Sequence, residues 1–159
     1  MSRVLAVDWG ERRVGVAISD PDGIIATGLE TLVVKSPEHA ANQVAEIARD
    51  READRIVVGL PLLMSGQHGE AADAAERFAA LLVRRTGLPV ETYDERLTSA
   101  LSERRLREAG VRAGHQRGRV DQGAAVALLE SFLMRLKARS LTPDAAVGAD
   151  EADEPDDEV

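Results

Sequence analysis

The hydrophobic pattern at the start of the chain predicts three neighbouring strands. Residues 4–7 (VLAV) are all apolar and β-prone, as expected of a strand that is buried on both faces. A polar stretch containing Gly10 separates this run from a second apolar run at 14–19, and the pair predicts a β-hairpin. A turn at 20–23 (DPDG) leads to a third predicted strand over 24–34. The chain therefore opens with an antiparallel meander.

Helical and strand patterns alternate after the meander. Ser36 followed by Pro37 is a favourable helix start, because the hydroxyl can cap the helix and proline suits its first position. A short apolar run at 56–60 predicts a buried strand, and helical spacing then predicts a helix over 70–85. Another strand follows at 90–93. Such alternation is typical of parallel strands that are connected by helices.

The last third of the chain predicts two helices and a tail. We expect a weaker helix over 99–108, a basic glycine-containing loop at 112–119, and a strongly apolar helix that opens at Asp121. The expected buried stripe of that last helix consists of Ala125, Leu128, Leu129, Phe132 and Leu136. The chain then divides into one domain over 1–139 and an acidic tail over 140–159, which we expect to be disordered.

The order of these elements is β-β-β-α-β-α-β-α-α. It predicts an α/β fold in which three antiparallel strands and two parallel strands form a five-stranded mixed sheet, with helices on both faces.

The charge is distributed unevenly along the chain. The net charge is −8, but residues 141–159 contain eight acidic residues and no basic residue, which leaves the body neutral. Residues 96–119 contain seven arginines against two glutamates. A neutral body with a basic stretch is compatible with a nucleic-acid partner, although such a stretch is also typical of a solvated helix face.

The composition excludes several classes of protein. No apolar run approaches the roughly 20 residues that span a bilayer, and we expect no membrane association. The absence of cysteine excludes disulfides and thiolate metal sites. The first residues lack the features of a secretion signal. We therefore expect a cytoplasmic protein.

Three carboxylates stand where buried elements begin or end. Asp8 ends the first strand, Glu95 follows the last strand, and Asp121 opens the last helix. The ends of neighbouring strands and of a helix packed on them can converge at one edge of a sheet. Oxygen ligands without histidine or cysteine suit a hard ion such as Mg²⁺ or Mn²⁺, and two such ions are commonly used in phosphodiester hydrolysis.

Each carboxylate also has an ordinary structural interpretation. Asp8 could belong to an Asp-x-Gly turn. Glu95 could form a surface ion pair with Arg96 or Arg104. Asp121 could cap the last helix, which is the better interpretation of that residue taken alone. Spacing and burial leave these alternatives open.

Four ordered blocks carry a resemblance to a known family. Residues 5–20 (LAVDWGERRVGVAISD), 57–66 (VVGLPLLMSG), 93–103 (YDERLTSALSE) and 118–133 (GRVDQGAAVALLESFL) resemble the successive motifs of the YqgF/RuvX family. They come in the family order and cover nearly the whole chain before the tail. The loop at 64–68 departs from the family pattern, so no role is carried over to it.

The resemblance implies an RNase H-like fold and a metal-dependent nuclease. Asp8, Glu95 and Asp121 match the positions of the family's catalytic, metal-binding carboxylates. Members are described as nucleases that trim the 5′ end of precursor 16S ribosomal RNA and as Holliday junction resolvases. The expected partners are therefore an RNA precursor or branched DNA, together with ribosomal assembly particles, for a monomer or a homodimer.

Several other side chains could contact the substrate. The expected nucleic-acid contacts are Arg12, Arg13, Arg96, Thr98, Arg117 and Arg119. Capping the following helix is an alternative role for Thr98, and a solvated hairpin tip is an alternative for the first two arginines. His68 could donate a proton, but a surface histidine without a role is the preferred interpretation. Trp9 could stack on a base, yet packing against the edge of the sheet is favoured.

Two further functions are less favoured. An early Asp-x-Gly hairpin is also found in ATP-dependent phosphotransferases of the actin and sugar-kinase type. Those proteins use two such domains, and this sequence has neither the length for two nor a second glycine-rich phosphate loop. A binding module that has lost catalysis and acts in ribosome assembly is the other alternative. The presence of all three carboxylates favours the nuclease over the module without catalysis.

Overall fold

A mixed sheet carries the helices of this chain on its two faces. A computed structural model of the chain describes residues 3–10, 12–63, 65–97 and 117–141, without the side chains of 97, 117–122 and 140–141. The strands are β1 (Val4–Asp8), β2 (Arg13–Ser19), β3 (Ala26–Gly28), β4 (Leu32–Val33), β5 (Arg55–Leu60) and β6 (Val90–Asp94). The helices are α1 (Pro37–Asp50), α2 (Glu70–Thr86) and α3 (Arg117–Leu141), and a 3₁₀ turn covers Glu95–Leu97.

The strand order is β3-β2-β1-β5-β6, with β4 also paired to β2. The pairs that involve β2 are antiparallel, whereas β1-β5 and β5-β6 are parallel. The expected mixed α/β sheet is therefore confirmed, with antiparallel strands preceding the parallel ones. The alternating helices and strands produce the parallel half, because each crossover returns the chain to the same end of the sheet.

The expected count of five strands is wrong for the described residues, which form six. The predicted strand at 24–34 is divided into β3 and β4. Ala17 pairs with Gly28, and Val14 pairs with Leu32, so three residues on one strand oppose two on β2. This extra residue is a bulge, which interrupts the ladder and bends the strand.

Local signals in the sequence set the ends of α1 and α2. The Ser36 hydroxyl accepts a hydrogen bond from the His39 amide at 3.0 Å, which confirms the predicted cap. Gly87 ends α2 in the left-handed conformation (φ 73°), and its amide donates to the Val83 carbonyl at 2.9 Å. α1 leads from β4 into β5, and α2 connects the parallel strands β5 and β6.

The two faces of the sheet are covered by different helices. Apolar side chains of α1 and α2 form one core with Leu5, Val7 and Val58. Apolar side chains of α3 form a second core with Val4 and Ala6 on the opposite face. Helices on both faces are therefore confirmed. The predicted stripe of α3 is also confirmed, because Ala125, Leu128, Leu129 and Phe132 are buried and Leu136 is partly buried.

The start of α3 differs from the expectation. The predicted basic loop at 112–119 and the predicted helix start at Asp121 are both wrong over 117–120, because the helix begins at Arg117. Residues 117–119 (RGR) carry no apolar spacing, so the sequence pattern did not show that the helix begins there. The helix continues to Leu141, two residues beyond the expected domain boundary. The predicted helix at 99–108 and residues 142–159 of the predicted tail lie outside the described residues.

In the described part of the chain, no helix is both long enough and apolar enough to cross a membrane.

Candidate metal centre

Asp8 lies at the carboxyl end of β1 and is buried, with 1% of its surface exposed. Side chains alternate between the faces of a strand. Since Val4 and Ala6 belong to the core beneath α3, Asp8 points to the same face. β1 is parallel to β5 with Val7 beside Val58, so Asp8 lies level with Gly59. A simple exposed turn aspartate would not be buried in this way.

Glu95 follows β6 directly and is also buried, with 1% exposure. The alternative of a surface position for Glu95 is therefore wrong. A methyl group at Gly59 would lie 3.1 Å from both Cγ and Cδ of Glu95. Val57 of β5 packs on the core beneath α3, so Gly59, two residues on, presents its open side to the same face. The Glu95 side chain thus folds back over β5, on the face to which Asp8 points.

Asp8 and Glu95 are brought together by the register of the sheet. Gly59 lies between the end of β1 and Tyr93 of β6, with which it is paired. Neighbouring strands are about 4.8 Å apart, so a carboxylate above Gly59 lies within one strand spacing of Asp8. Both elements end at the carboxyl edge of the parallel strands. The structure thereby joins two of the three predicted acids on one face.

Asp121 lies within α3, at its fifth residue, and no acidic residue occupies the first turn. The helix-cap interpretation is therefore wrong. The Arg55 guanidinium carbon lies 6.0 Å from the centroid of the Phe132 ring of α3. Arg55 pairs with Val4, which is at the opposite end of β1 from Asp8. Ala124 and Ala125 are fully buried, so α3 extends from Phe132 over the sheet rather than away from it.

The distance along α3 from Phe132 to Asp121 is similar to the distance along β1 from Val4 to Asp8. Eleven residues of helix from Phe132 back to Asp121 span about 16 Å, and the four residues from Val4 to Asp8 span about 13 Å. This length is sufficient for α3 to reach from Phe132 to the level of Asp8.

The candidate centre is composed of oxygen donors. Within the residues whose side chains are described, no three histidines, cysteines or acids form a cluster suited to a metal. The side chain of Asp121 is outside that description, and Asp8 and Glu95 supply two carboxylates. Buried carboxylates placed side by side require compensating charge or hydrogen bonds. Oxygen donors of this kind suit Mg²⁺ or Mn²⁺.

Arg96 occupies the exposed side of the same turn. Its Nε lies 3.1 Å from both carboxylate oxygens of Asp94, and its Nη2 donates to Oδ2 at 2.7 Å. The Arg96 hydrogen bonds hold the pKa of Asp94 below its ordinary value and raise that of the guanidinium. The predicted substrate contact at Arg96 thus lies in an ion pair within the protein.

Four other predicted nucleic-acid contacts lie next to the start of β2 or at the start of α3. Arg12 is exposed in the turn between β1 and β2, where its carbonyl accepts a hydrogen bond from the Val34 amide, and Arg13 begins β2. Arg117 and Arg119 lie in the first turn of α3. Thr98 lies outside the described residues.

Trp9 and His68 have structural contacts. Trp9 is buried and stacks on Phe78 of α2, with ring centroids 4.3 Å apart. It therefore packs beneath a helix, rather than at the sheet edge or on a base. The His68 Nε2 lies 3.0 Å from a carboxylate oxygen of Glu76, also on α2, and both side chains are largely exposed. This contact gives His68 a surface partner.

Sequence reasoning missed Gly59, which provides the space for Glu95. A signal was present, because a glycine inside an apolar strand often marks a close approach by another group. It also missed Asp94, whose role is visible only through its pairing with Arg96.

The sequence matches a known protein family over most of its length. A family model described as RuvX, Holliday junction resolvase, matches residues 2–135. A relative from Chloroflexus aurantiacus is 44% identical over 130 residues, which cover 82% of this chain and 85% of the relative. One from Mycobacterium sp. strain KMS is 44% identical over 143 residues, which cover 89% and 85%. Both relatives are provisionally named pre-16S rRNA nuclease.

A solved structure supports the fold independently. RuvC of T. thermophilus in complex with a Holliday junction substrate superimposes with a TM-score of 0.52 and 16% identity, covering 86% of this chain and 96% of that chain. At this identity the likeness shows the fold, which is that of the RNase H-like nucleases.

Proposed function

Because the chain belongs to the RuvX family, we propose that it trims the 5′ end of precursor 16S ribosomal RNA in a reaction that depends on divalent metal ions. It is a nuclease, an enzyme that hydrolyses phosphodiester bonds. The phosphotransferase and the module without catalysis are accordingly not favoured. The single observation that supports the site is the burial of Asp8 and Glu95 on one face, at the carboxyl ends of β1 and β6.

The proposed centre consists of Asp8, Glu95 and Asp121. The residues fit a hard cation, because they offer carboxylate oxygens and Gly59 leaves room for Glu95. Two ions of Mg²⁺ or Mn²⁺ would activate a water molecule and stabilise the leaving oxygen of the displaced strand. The protein's own part is to hold the carboxylates at fixed positions on strand ends, which costs no reorganisation when the substrate binds.

The remaining basic residues complete the proposed substrate surface. Arg12 and Arg13 follow Asp8 in the adjacent turn, and Arg117 and Arg119 lie at the start of α3. These side chains would contact backbone phosphates, which position the strand without reading its sequence. Four aromatic residues are too few for base stacking to dominate recognition, and Trp9 is committed to the core.

The names of the relatives favour ribosomal RNA as the substrate and, with it, a cytoplasmic site of action near ribosomal assembly particles. The description of the family model favours a Holliday junction as the second candidate. Resolution of a junction requires two active sites, so that alternative requires a symmetric dimer. Processing of an RNA end can be performed by a monomer.

A parallel cleavage assay separates these substrates. The full chain is incubated with precursor 16S rRNA, an unrelated single-stranded RNA and a four-way DNA junction, each with Mg²⁺, Mn²⁺ or chelator. We expect metal-dependent shortening of the precursor at its 5′ end and no symmetric cleavage of the junction. Paired symmetric cuts in the junction, together with an intact precursor, would replace the first proposal with the second.

A further inference from the structure

We propose that Asp94 and Arg96 form a clamp that fixes the turn carrying Glu95, so that Arg96 is a positioning residue rather than a contact for the substrate. The inference rests on the proposed metal-binding role of Glu95, which lies between the two residues in sequence. It also gives a role to Asp94, although Asp94 is not one of the proposed metal ligands.

The contacts between the two side chains define one geometry. The Nε and Nη2 of Arg96 donate to the Asp94 carboxylate at distances of 2.7 to 3.1 Å, and the Arg96 amide donates to Oδ1 at 2.9 Å. Bidentate, charge-assisted hydrogen bonds restrict both the distance and the relative orientation of the partners. A loose surface ion pair would not provide this restriction.

The clamp acts where the sheet no longer holds the backbone. The last pair between β5 and β6 is Leu60 with Asp94, so Glu95 is the first residue beyond the ladder. Glu95 begins a three-residue 3₁₀ turn, Glu95–Leu97, which is the last segment that the structure describes before residue 117. Asp94 and Arg96 are tied together on the outer side of this turn, while the Glu95 side chain is buried on the inner side. The clamp thereby resists rotation of the turn. Such a rotation would withdraw the Glu95 carboxylate from the proposed metal centre.

A second contact connects the clamp to the loop after β5. Gly66 adopts φ 91°, and a methyl group there would lie 3.4 Å from Nη1 of Arg96. The loop is closed by hydrogen bonds from the Gly66 amide to the Leu63 carbonyl and from the Leu63 amide to the Gln67 carbonyl. The guanidinium therefore packs between Asp94 and this turn. A phosphate that approached its Nε and Nη2 would have to displace the Asp94 carboxylate.

Removal of Asp94 distinguishes positioning from substrate binding, because the two roles predict opposite results. Asp94→Ala and Arg96→Lys are prepared in the full chain. The matched control is Glu91→Ala, on the same strand as Asp94, which removes the ion pair of Glu91 with Arg55 of β5. Calorimetry gives the dissociation constant for Mn²⁺, filter binding without divalent ions gives that for RNA, and steady-state kinetics give kcat and KM.

The clamp predicts that both variants weaken Mn²⁺ binding by about tenfold or more and lower kcat, as expected when a supporting partner of a metal ligand is lost. Lysine does not rescue the loss, because an ammonium cannot form the bidentate fork. The RNA dissociation constant and KM remain within about twofold of the wild-type values, and Glu91→Ala matches the wild type in all readouts.

The opposite pattern overturns the clamp. If Arg96 binds phosphate, Asp94→Ala releases the guanidinium and leaves RNA binding equal or tighter, with unchanged Mn²⁺ affinity, while Arg96→Lys weakens RNA binding. Wild-type behaviour of both variants also overturns the clamp alone. Failure of the wild-type protein to bind Mn²⁺ overturns the clamp and the proposed function together.

Two glycine variants provide an independent check if Asp94→Ala reduces stability. Gly66 and Gly87 both have left-handed backbones, but a methyl group at Gly87 meets nothing within 4 Å. Alanine at either position introduces backbone strain, whereas only the strained turn at Gly66 is in contact with Arg96. The clamp predicts weaker Mn²⁺ binding for Gly66→Ala than for Gly87→Ala. Equal Mn²⁺ affinities would contradict it.

Discussion

The carboxyl group of Glu95 lies over Gly59, in the space that any side chain at position 59 would fill. Gly59 is the residue of β5 beside the end of β1, so this contact brings Glu95 to the face on which Asp8 is buried. The absence of a side chain at one position therefore controls the position of a proposed metal ligand. It also explains why a conformationally costly glycine is placed inside a central strand.

Substitution of Gly59 by alanine is expected to displace Glu95 and to reduce catalysis. A misplacement of about 1 Å in a reacting geometry can cost about 100-fold in rate, so we expect a decrease of that order in kcat together with weaker Mn²⁺ binding. Steady-state kinetics and calorimetry provide the two measurements. The double variant Gly59→Ala/Glu95→Asp should recover part of the Mn²⁺ affinity, because aspartate is one methylene shorter. An unchanged Mn²⁺ affinity in Gly59→Ala would show that the contact does not control the ligand.

Because Asp121 lies inside α3, its substitution tests the proposed role as a metal ligand without removing a helix cap. Since α3 begins at Arg117, Asp121→Ala removes no cap and places a good helix former inside the helix. We expect the free energy of unfolding to fall by no more than about 0.5 kcal/mol, while cleavage is lost. Urea denaturation and the cleavage assay are run on the same preparation. Full cleavage activity of Asp121→Ala would remove Asp121 from the metal centre.

Much of this fold is predictable from the sequence because its signals are local. Ser36 with Pro37 begins α1, and Gly87 ends α2, through contacts between residues a few positions apart. The alternation of apolar runs likewise predicts the strands. The bulge between β3 and β4 is different, because one extra residue leaves the apolar pattern of 24–34 unchanged.

The identities of the candidate site residues were predictable from the sequence, but their burial and their arrangement were not. A glutamate after a strand has the same local sequence whether it faces the sheet or the solvent, and its burial depends on Gly59, 36 positions away. The start of α3 was missed for a related reason, because polar residues at 117–119 carry no apolar spacing. The resemblance supplied the triad, whereas the structure supplied the burial of Asp8 and Glu95 and their common face.

Acid should weaken the turn that connects β2 and β3. The Ile25 and Ile24 amides donate to Oδ1 of Asp20 at 2.8 and 2.7 Å, and these hydrogen bonds hold its pKa below the ordinary value of 3.8. Because the pKa is lower in the folded state, the stabilisation is present above about pH 4 and is lost as the pH falls through the folded value. The free energy of unfolding, measured by urea at several pH values, should therefore decrease below about pH 4.

Asp20→Asn is the matched control for this turn. The amide oxygen can accept the same two hydrogen bonds but does not titrate, so the variant should show a shallower decrease in the free energy of unfolding over the same pH range. Parallel pH profiles for the wild type and the variant would show that Asp20 contributes nothing to the acid sensitivity.

The central claim is that three carboxylates on different elements form one metal centre for phosphodiester hydrolysis. Its most direct test is the Mn²⁺-dependent rate of precursor 16S rRNA cleavage by the wild type, Asp8→Asn, Glu95→Gln and Asp121→Asn, with circular dichroism as the control for folding. Metal ions supply several kcal/mol of transition-state stabilisation, so each folded variant should be slower by about 100-fold or more. A folded variant that cleaves at the wild-type rate would remove its residue from the centre, and wild-type rates in all three would contradict the account.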